Sequence, residues 1–152
     1  MKPSTPKTIK WLVISSILYI LFSLITTGIA ISLNRPAAFG GQSSGLPVVQ
    51  DFLYGKGTSM SPPLWWLVVQ VVLTILAPRW NGWGTAGIIG LVVWGLGSGI
   101  GGIGEPINLE IFNPVNFNLF VALVQAGIII LPFVMMVSGI FELVRRRQRS
   151  SP

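Results

Sequence analysis

The chain has no cysteine and no histidine. The first absence excludes disulfides, thiol redox chemistry and thiolate metal sites. The second removes the commonest metal ligand, the usual haem ligand and the usual general base. Acid is almost as scarce, with Asp51, Glu105, Glu110 and Glu142 as the four carboxylates. So few ionisable groups leave little to do chemistry with. The expectation is a non-catalytic protein, with no metal and no cofactor implied.

Charge is sparse throughout. Charged residues make up 9% of the 152-residue chain and hydrophobic residues 51%. A soluble domain carries about 25% charged residues. A chain largely covered by lipid needs far less, and this length fits one domain. The net charge of +6 does not point to nucleic acid. The basic residues flank apolar runs, with no basic face and no aromatics interleaved among them. That is the distribution of helix flanks in a lipid bilayer.

What is present is long apolar sequence. Four runs are read as spans, at about 11–33, 62–77, 83–103 and 117–144. A spanning helix needs about 20 apolar residues. The first run is read as an uncleaved helix, because it exceeds the roughly 7–15 residues of a signal-peptide core. The second is short, starts at Pro62 and Pro63, and carries Trp65 and Trp66 at one interface. The third is rich in glycine. In water that composition argues against helix, but in lipid the backbone must satisfy its own hydrogen bonds. Its end from Gly97 onward is expected to fray. The fourth contains Pro132, which predicts a kink. The loops are 34–61 and 104–116, with a basic tail at 145–152. Within the first loop, residues 47–54 are expected to form a short helix, with Phe52, Leu53 and Tyr54 on the membrane surface or capping the helices.

Eight of the ten Lys and Arg residues fall on one side: Lys2, Lys7, Lys10, Arg79, Arg145, Arg146, Arg147 and Arg149. Arg35 and Lys56 fall on the other. The positive-inside rule then places both termini in the cytoplasm. The expected fold is all-α, an integral membrane four-helix bundle forming one domain over residues 1–152. A chain without glycosylation sequons leans toward a bacterial plasma membrane.

Small and polar residues in spans usually face other helices. Ser16, Tyr19, Ser23, Thr26 and Ala30 form such a seam on the first run. Gln70, Thr74 and Ala77 form one on the second. Asn118, Ala122, Gln125, Ile129, Pro132, Met136 and Gly139 form one on the last. On the third run Gly95/Gly99 and Gly97/Gly101 are small-xxx-small pairs on two faces, so that helix is expected to be central. The same glycines offer a route to a homo-oligomer or to other membrane subunits.

The stretch 99–104 spells G-x-G-x-x-G. The dinucleotide motif needs a strand before it and an acid about twenty residues later, and neither is present. Close helix packing accounts for the glycines. A glycine-lined ion filter would need a second pore-lining segment.

Gln70 and Gln125 are the amides deep in the spans, expected to hydrogen-bond to Ser23, Thr74 or each other. They are also candidate ligand contacts. Glu105, beside the glycine run, is read as a solvated loop acid, an ion or proton site, or a partner for Arg35 or Lys56. Glu110 and Asp51 are read as loop charges. Trp94 is read as a packing residue, or a stacking surface for a quinone or pigment. Glu142 is expected to pair with Arg145 and Arg146 one turn on. The arginines 145, 146, 147 and 149 would attract anionic lipid head groups.

The four-helix plan is shared by small multidrug transporters and many small subunits of membrane complexes. The transporters carry an acid in their first helix, and this first run has none. Shared plan assigns no function. The leading expectation is a structural, accessory or small-ligand (lipid) binding membrane component. The alternative is a small transporter or channel with a site near the outer face.

Overall fold

The computed structural model describes residues 6–35, 37, 45–104 and 118–150. All regular elements among them are helices. They are α1 (Lys7–Ser32), α2 (Val48–Tyr54), α3 (Leu64–Leu76), α4 (Gly82–Gly104) and α5 (Leu119–Ser150). Three of these, α1, α4 and α5, are long and apolar enough to cross a membrane. That is compatible with a membrane protein. The fourth apolar helix falls short of the expected span: α3 has 13 residues, about 20 Å at 1.5 Å per residue. Pro63 bounds it at one end, and Ala77 and Pro78 at the other.

The helices are inverted relative to those of a soluble protein. On α1 the buried residues include Ser15, Ser16, Tyr19, Ser23, Thr26, Thr27 and Ala30. Ile14, Ile17, Leu18, Leu21, Leu24 and Ile25 are exposed. Three of the buried hydroxyls are satisfied within the helix. Ser15 donates to the Trp11 carbonyl, Thr26 to Phe22 and Thr27 to Ser23. Hydroxyls bonded back in this way can face a neighbour without an unsatisfied donor.

Packing forms a ring rather than a hub. α5 lies against both α1 and α4, α4 also against α3, and α3 closes the ring on α1. The glycine-rich α4 is thus one corner of the ring and not its centre. Its glycines are divided between two neighbours. A side chain at Gly87 or Gly90 would meet Leu73 of α3, and one at Gly95 or Gly99 would meet Pro132 or Phe133 of α5. α5 has small residues of its own, with Gly127 seating Phe22 of α1 and Gly139 seating Val92 of α4. The helix of α4 stays regular through Gly97 to Gly104.

α5 differs from its expected bounds. It continues through the arginines to Ser150, because side-chain pairing holds its last turns. Of its expected seam, Ala122, Gln125, Pro132 and Gly139 are buried, while Asn118 is exposed. Asn118 instead caps the helix, accepting from the Phe120 and Val121 amides.

The two ends of the ring are distinct. At one, Thr8 of α1 donates to Glu142 of α5. There Arg146 donates to the Ala77 and Arg79 carbonyls beyond α3. Ile9, Leu12, Ala77, Ile88, Leu91 and Met135 form the adjoining core. At the other, Thr27 of α1 bonds Ser61 just before α3 at 2.7 Å. Phe52 of α2 packs there against Tyr19, Leu67 and Ile128. Leu53 joins that cluster, whereas Tyr54 is 84% exposed.

Candidate functional site

The Ser61 end holds a cavity of about 330 Å³. Its roof is the segment 56–63, whose shape is set by Gly57 and by the bonds between Thr58 and Ser61. Gly57 has φ +106°, and a Cβ there would strike the Ser61 carbonyl and Pro62. Only glycine suits both conditions. The Thr58 amide donates to the Ser61 carbonyl at 2.9 Å, and their hydroxyls bond at 2.7 Å.

Asp51 anchors that roof. The sequence reading made it a loop charge, but it is fully buried. Its carboxylate accepts from the Lys56 amide at 2.8 Å and the Ala37 amide at 3.3 Å. Its own carbonyl accepts from Gly57 at 3.0 Å. A carboxylate with backbone donors tolerates burial that a bare one would not.

The floor is Tyr19, Gln125 and Ile128. Tyr19 faces the hydroxyls of Ser98 and Ser23. One wall is Trp66, whose indole N–H donates to Ser98 at 2.9 Å. Trp94 stacks on Trp66 at 3.9 Å and donates to its carbonyl at 3.2 Å. Trp65 meets both rings edge-on. Gly97, Gly101 and Gly102 of α4, with Ile100, complete the lining. A Cβ at Gly101 would meet nothing within 4 Å, so the glycine there keeps open space.

This volume lies at the lower end of small-molecule sites, which run from about 300 to 1,000 Å³. The lining is mainly apolar with hydroxyls from Thr58, Ser59, Ser61, Ser98 and Tyr19, one amide and one charged group, Lys56. Such a surface accommodates an apolar body and hydrogen-bonds a small polar head. No cluster of three potential metal ligands occurs among the described residues.

The candidate residues separate. Gln125 reaches the cavity and is 1% exposed. Gln70 lies outside the lining, and its partners differ from those expected. Its amide donates to the Ser16 hydroxyl at 3.0 Å, Ser16 bonds Thr74 at 2.6 Å, and Thr74 donates to the Gln70 carbonyl at 2.7 Å. The Gln70 Oε1 has no hydrogen-bond partner. Trp94 supports the wall from behind, its face covered by Trp66. Gly97 and Gly101 line the cavity, while Gly95 and Gly99 receive α5. Glu105 and Glu110 lie outside the described residues.

Tyr19, Trp66, Ser98 and the roof were not singled out as ligand contacts. The pair of prolines at 62 and 63 with Gly57 just before them signals an ordered turn, but not what it covers. At the Glu142 end, Arg146, Arg147 and Arg149 line a second, open cleft with Trp80 and Asn81. No protein-family model, curated protein or solved structure matches this chain.

Proposed function

We propose that this is a multi-pass plasma-membrane protein, with one four-helix domain and both termini cytoplasmic, that binds a small amphiphile of the lipid class at its outer face without transforming it. The observation that carries the reading is the cavity under the 56–63 roof, with its apolar walls and the hydroxyls of its roof and floor. A ligand with an apolar body and a small hydrogen-bonding head matches it. The bacterial origin rests on the sequence alone.

Four crossings are supported by the pairing of Thr8 with Glu142. An even number of crossings returns the chain to the side it left, and α3 is the helix that makes the number even. Its short apolar run can be met by local bilayer thinning. The eight-to-two charge bias gives the same orientation.

The binding reading is favoured over transport by where the cavity stops. It reaches Gln125 but not Gln70, whose amide is taken up by the Ser16–Thr74 ring of bonds. Association with a second copy or another subunit would use faces other than Gly95 and Gly99, which α5 occupies.

The test is lipid extraction and native mass spectrometry of the protein from its own membrane. A co-purifying amphiphile is expected, displaced in Gly101→Leu, which adds bulk at a lining position whose Cβ would meet nothing within 4 Å. Binding should also perturb Trp66 fluorescence. Recovery of no amphiphile, or equal recovery from Gly101→Leu, would sink the proposal.

A further inference from the structure

The cleft at the Glu142 end has a different chemistry from the cavity. The Arg145 and Arg146 guanidinium carbons lie 5.0 Å from the Trp80 ring centroid, and that of Arg149 lies 5.8 Å away. All are within the roughly 6 Å range of cation–π attraction. Trp80 belongs to the turn between α3 and α4, far from these arginines in sequence. A flank that served topology alone would need positive charge near the interface, but not position.

Here position is fixed. Glu142 accepts from Arg145 Nε at 2.9 Å and Arg146 Nε at 3.1 Å. Arg146 also donates to the Ala77 and Arg79 carbonyls at 2.9 and 2.8 Å. Arg146 is thereby held to the α3–α4 turn, and Arg145 and Arg146 share the Glu142 carboxylate. Arg145 Nη1 is buried without an acceptor. Arg146, Arg147 and Arg149 line an open cleft of about 510 Å³, with Trp80, Asn81 and Thr85 opposite.

We propose that this cleft binds a phosphate group. Guanidinium forks match phosphate oxygens two at a time. Asn81 and Thr85 add polar side chains on the facing wall. Trp80, 59% exposed, sits at the helix ends where an indole anchors at the head-group level. That places the phosphate of an acidic phospholipid ahead of a soluble phosphate ester as the source. The site is independent of the ligand under the 56–63 roof.

The experiment compares lipid retention by native mass spectrometry in mixed phosphatidylglycerol and phosphatidylcholine nanodiscs, with inorganic phosphate as a competitor. The wild-type chain should retain phosphatidylglycerol preferentially. Arg147→Gln with Arg149→Gln should reduce that retention by about fivefold for each arginine removed. Arg147→Lys with Arg149→Lys keeps every charge but loses the forks, and should still reduce it several-fold. Neither substitution touches the Glu142 bonds, and the thermal midpoint in pure phosphatidylcholine separates a loss of fold from a loss of binding. Displacement by millimolar inorganic phosphate would keep the site and assign it to soluble phosphates. Wild-type retention in the lysine double variant would reduce the cluster to a charged flank and overturn the proposal. So would a wild-type chain that prefers neither phosphatidylglycerol nor phosphate, and this outcome needs no variant to fold.

Discussion

The Thr8 hydroxyl donates a hydrogen bond to the Glu142 carboxylate across 134 positions of sequence. One residue opens α1 and the other lies near the close of α5, so a single bond brings the beginning and end of the helical chain to one end of the molecule.

If that end is cytoplasmic, reporters fused at either terminus should behave alike. A phosphatase fusion should be inactive and a fluorescent protein bright at both. Opposite behaviour at the two ends would refute the even number of crossings.

Glu142 is fully buried and receives Thr8, Arg145 and Arg146. Glu142→Ala leaves two arginines without their carboxylate and should cost about 3–5 kcal/mol. Thr8→Val removes one bond to a charged group and should cost about 1.5–3 kcal/mol. Thermal unfolding in detergent orders the two, and a neutral Glu142→Ala would contradict this account of the helix end.

The glycines of α4 should not be equivalent. A Cβ at Gly95 would lie 2.6 Å from the Pro132 carbonyl, backbone that cannot swing aside. Gly95→Ala should cost about 1–3 kcal/mol through overpacking. Gly101→Ala meets nothing and should be neutral or slightly stabilising. Equal midpoints would show that α4 is not wedged against α5.

Gln70 should matter less than its burial implies. Gln70→Leu keeps the bond between Ser16 and Thr74 and the bond from Thr74 to the residue-70 carbonyl, while removing an Oε1 that has no partner. Interhelical bonds in membranes average about 0.6 kcal/mol, so the loss should stay below about 1 kcal/mol. A loss of several kcal/mol would mean that the amide holds more than the bonds to Ser16.

Gly57→Ala should disturb the roof more than the helices. Its positive φ and its contact with Ser61 both resist a side chain, at a cost of order 1–3 kcal/mol. Amphiphile retention should fall while helical circular dichroism stays unchanged. Undiminished retention would uncouple the roof from the cavity.

The inward stripe of α1 was legible because Ser16, Tyr19, Ser23, Thr26 and Ala30 recur at helical spacing and lipid leaves small polar residues nowhere else to go. On α5 the same reasoning was partly displaced. Ile128 and Met135 are more deeply buried than Ile129 and Met136, because this helix serves two neighbours and its inward stripe is wide. A period alone cannot say how many neighbours a helix has: the glycine pairs on two faces of α4 do meet α3 and α5, but two neighbours make a corner of the ring and not its centre. Asp51 was illegible for another reason. Its burial depends on the amides of Ala37 and Lys56, which face it only after the loop has closed. Of the cavity, Gln125 was readable as a deep amide. Trp66 was readable only as an interfacial tryptophan, since its role depends on how α3 lies against α4.

The shortness of α3 has a consequence for the surrounding lipid. Trp65 opens this helix, Trp80 follows it by fifteen positions, and both are exposed. At a helical rise of 1.5 Å the 13 residues of α3 measure about 20 Å, against a hydrocarbon thickness of about 30 Å. If α3 crosses the bilayer as proposed, acyl chains beside it compress, while those beside α1 and α5 need not. Such a molecule has a thin side. Its elastic strain would be relieved by a neighbour with a matching short wall or by a patch of short-chain lipid, and bilayer thickness becomes a variable that can sort the protein laterally.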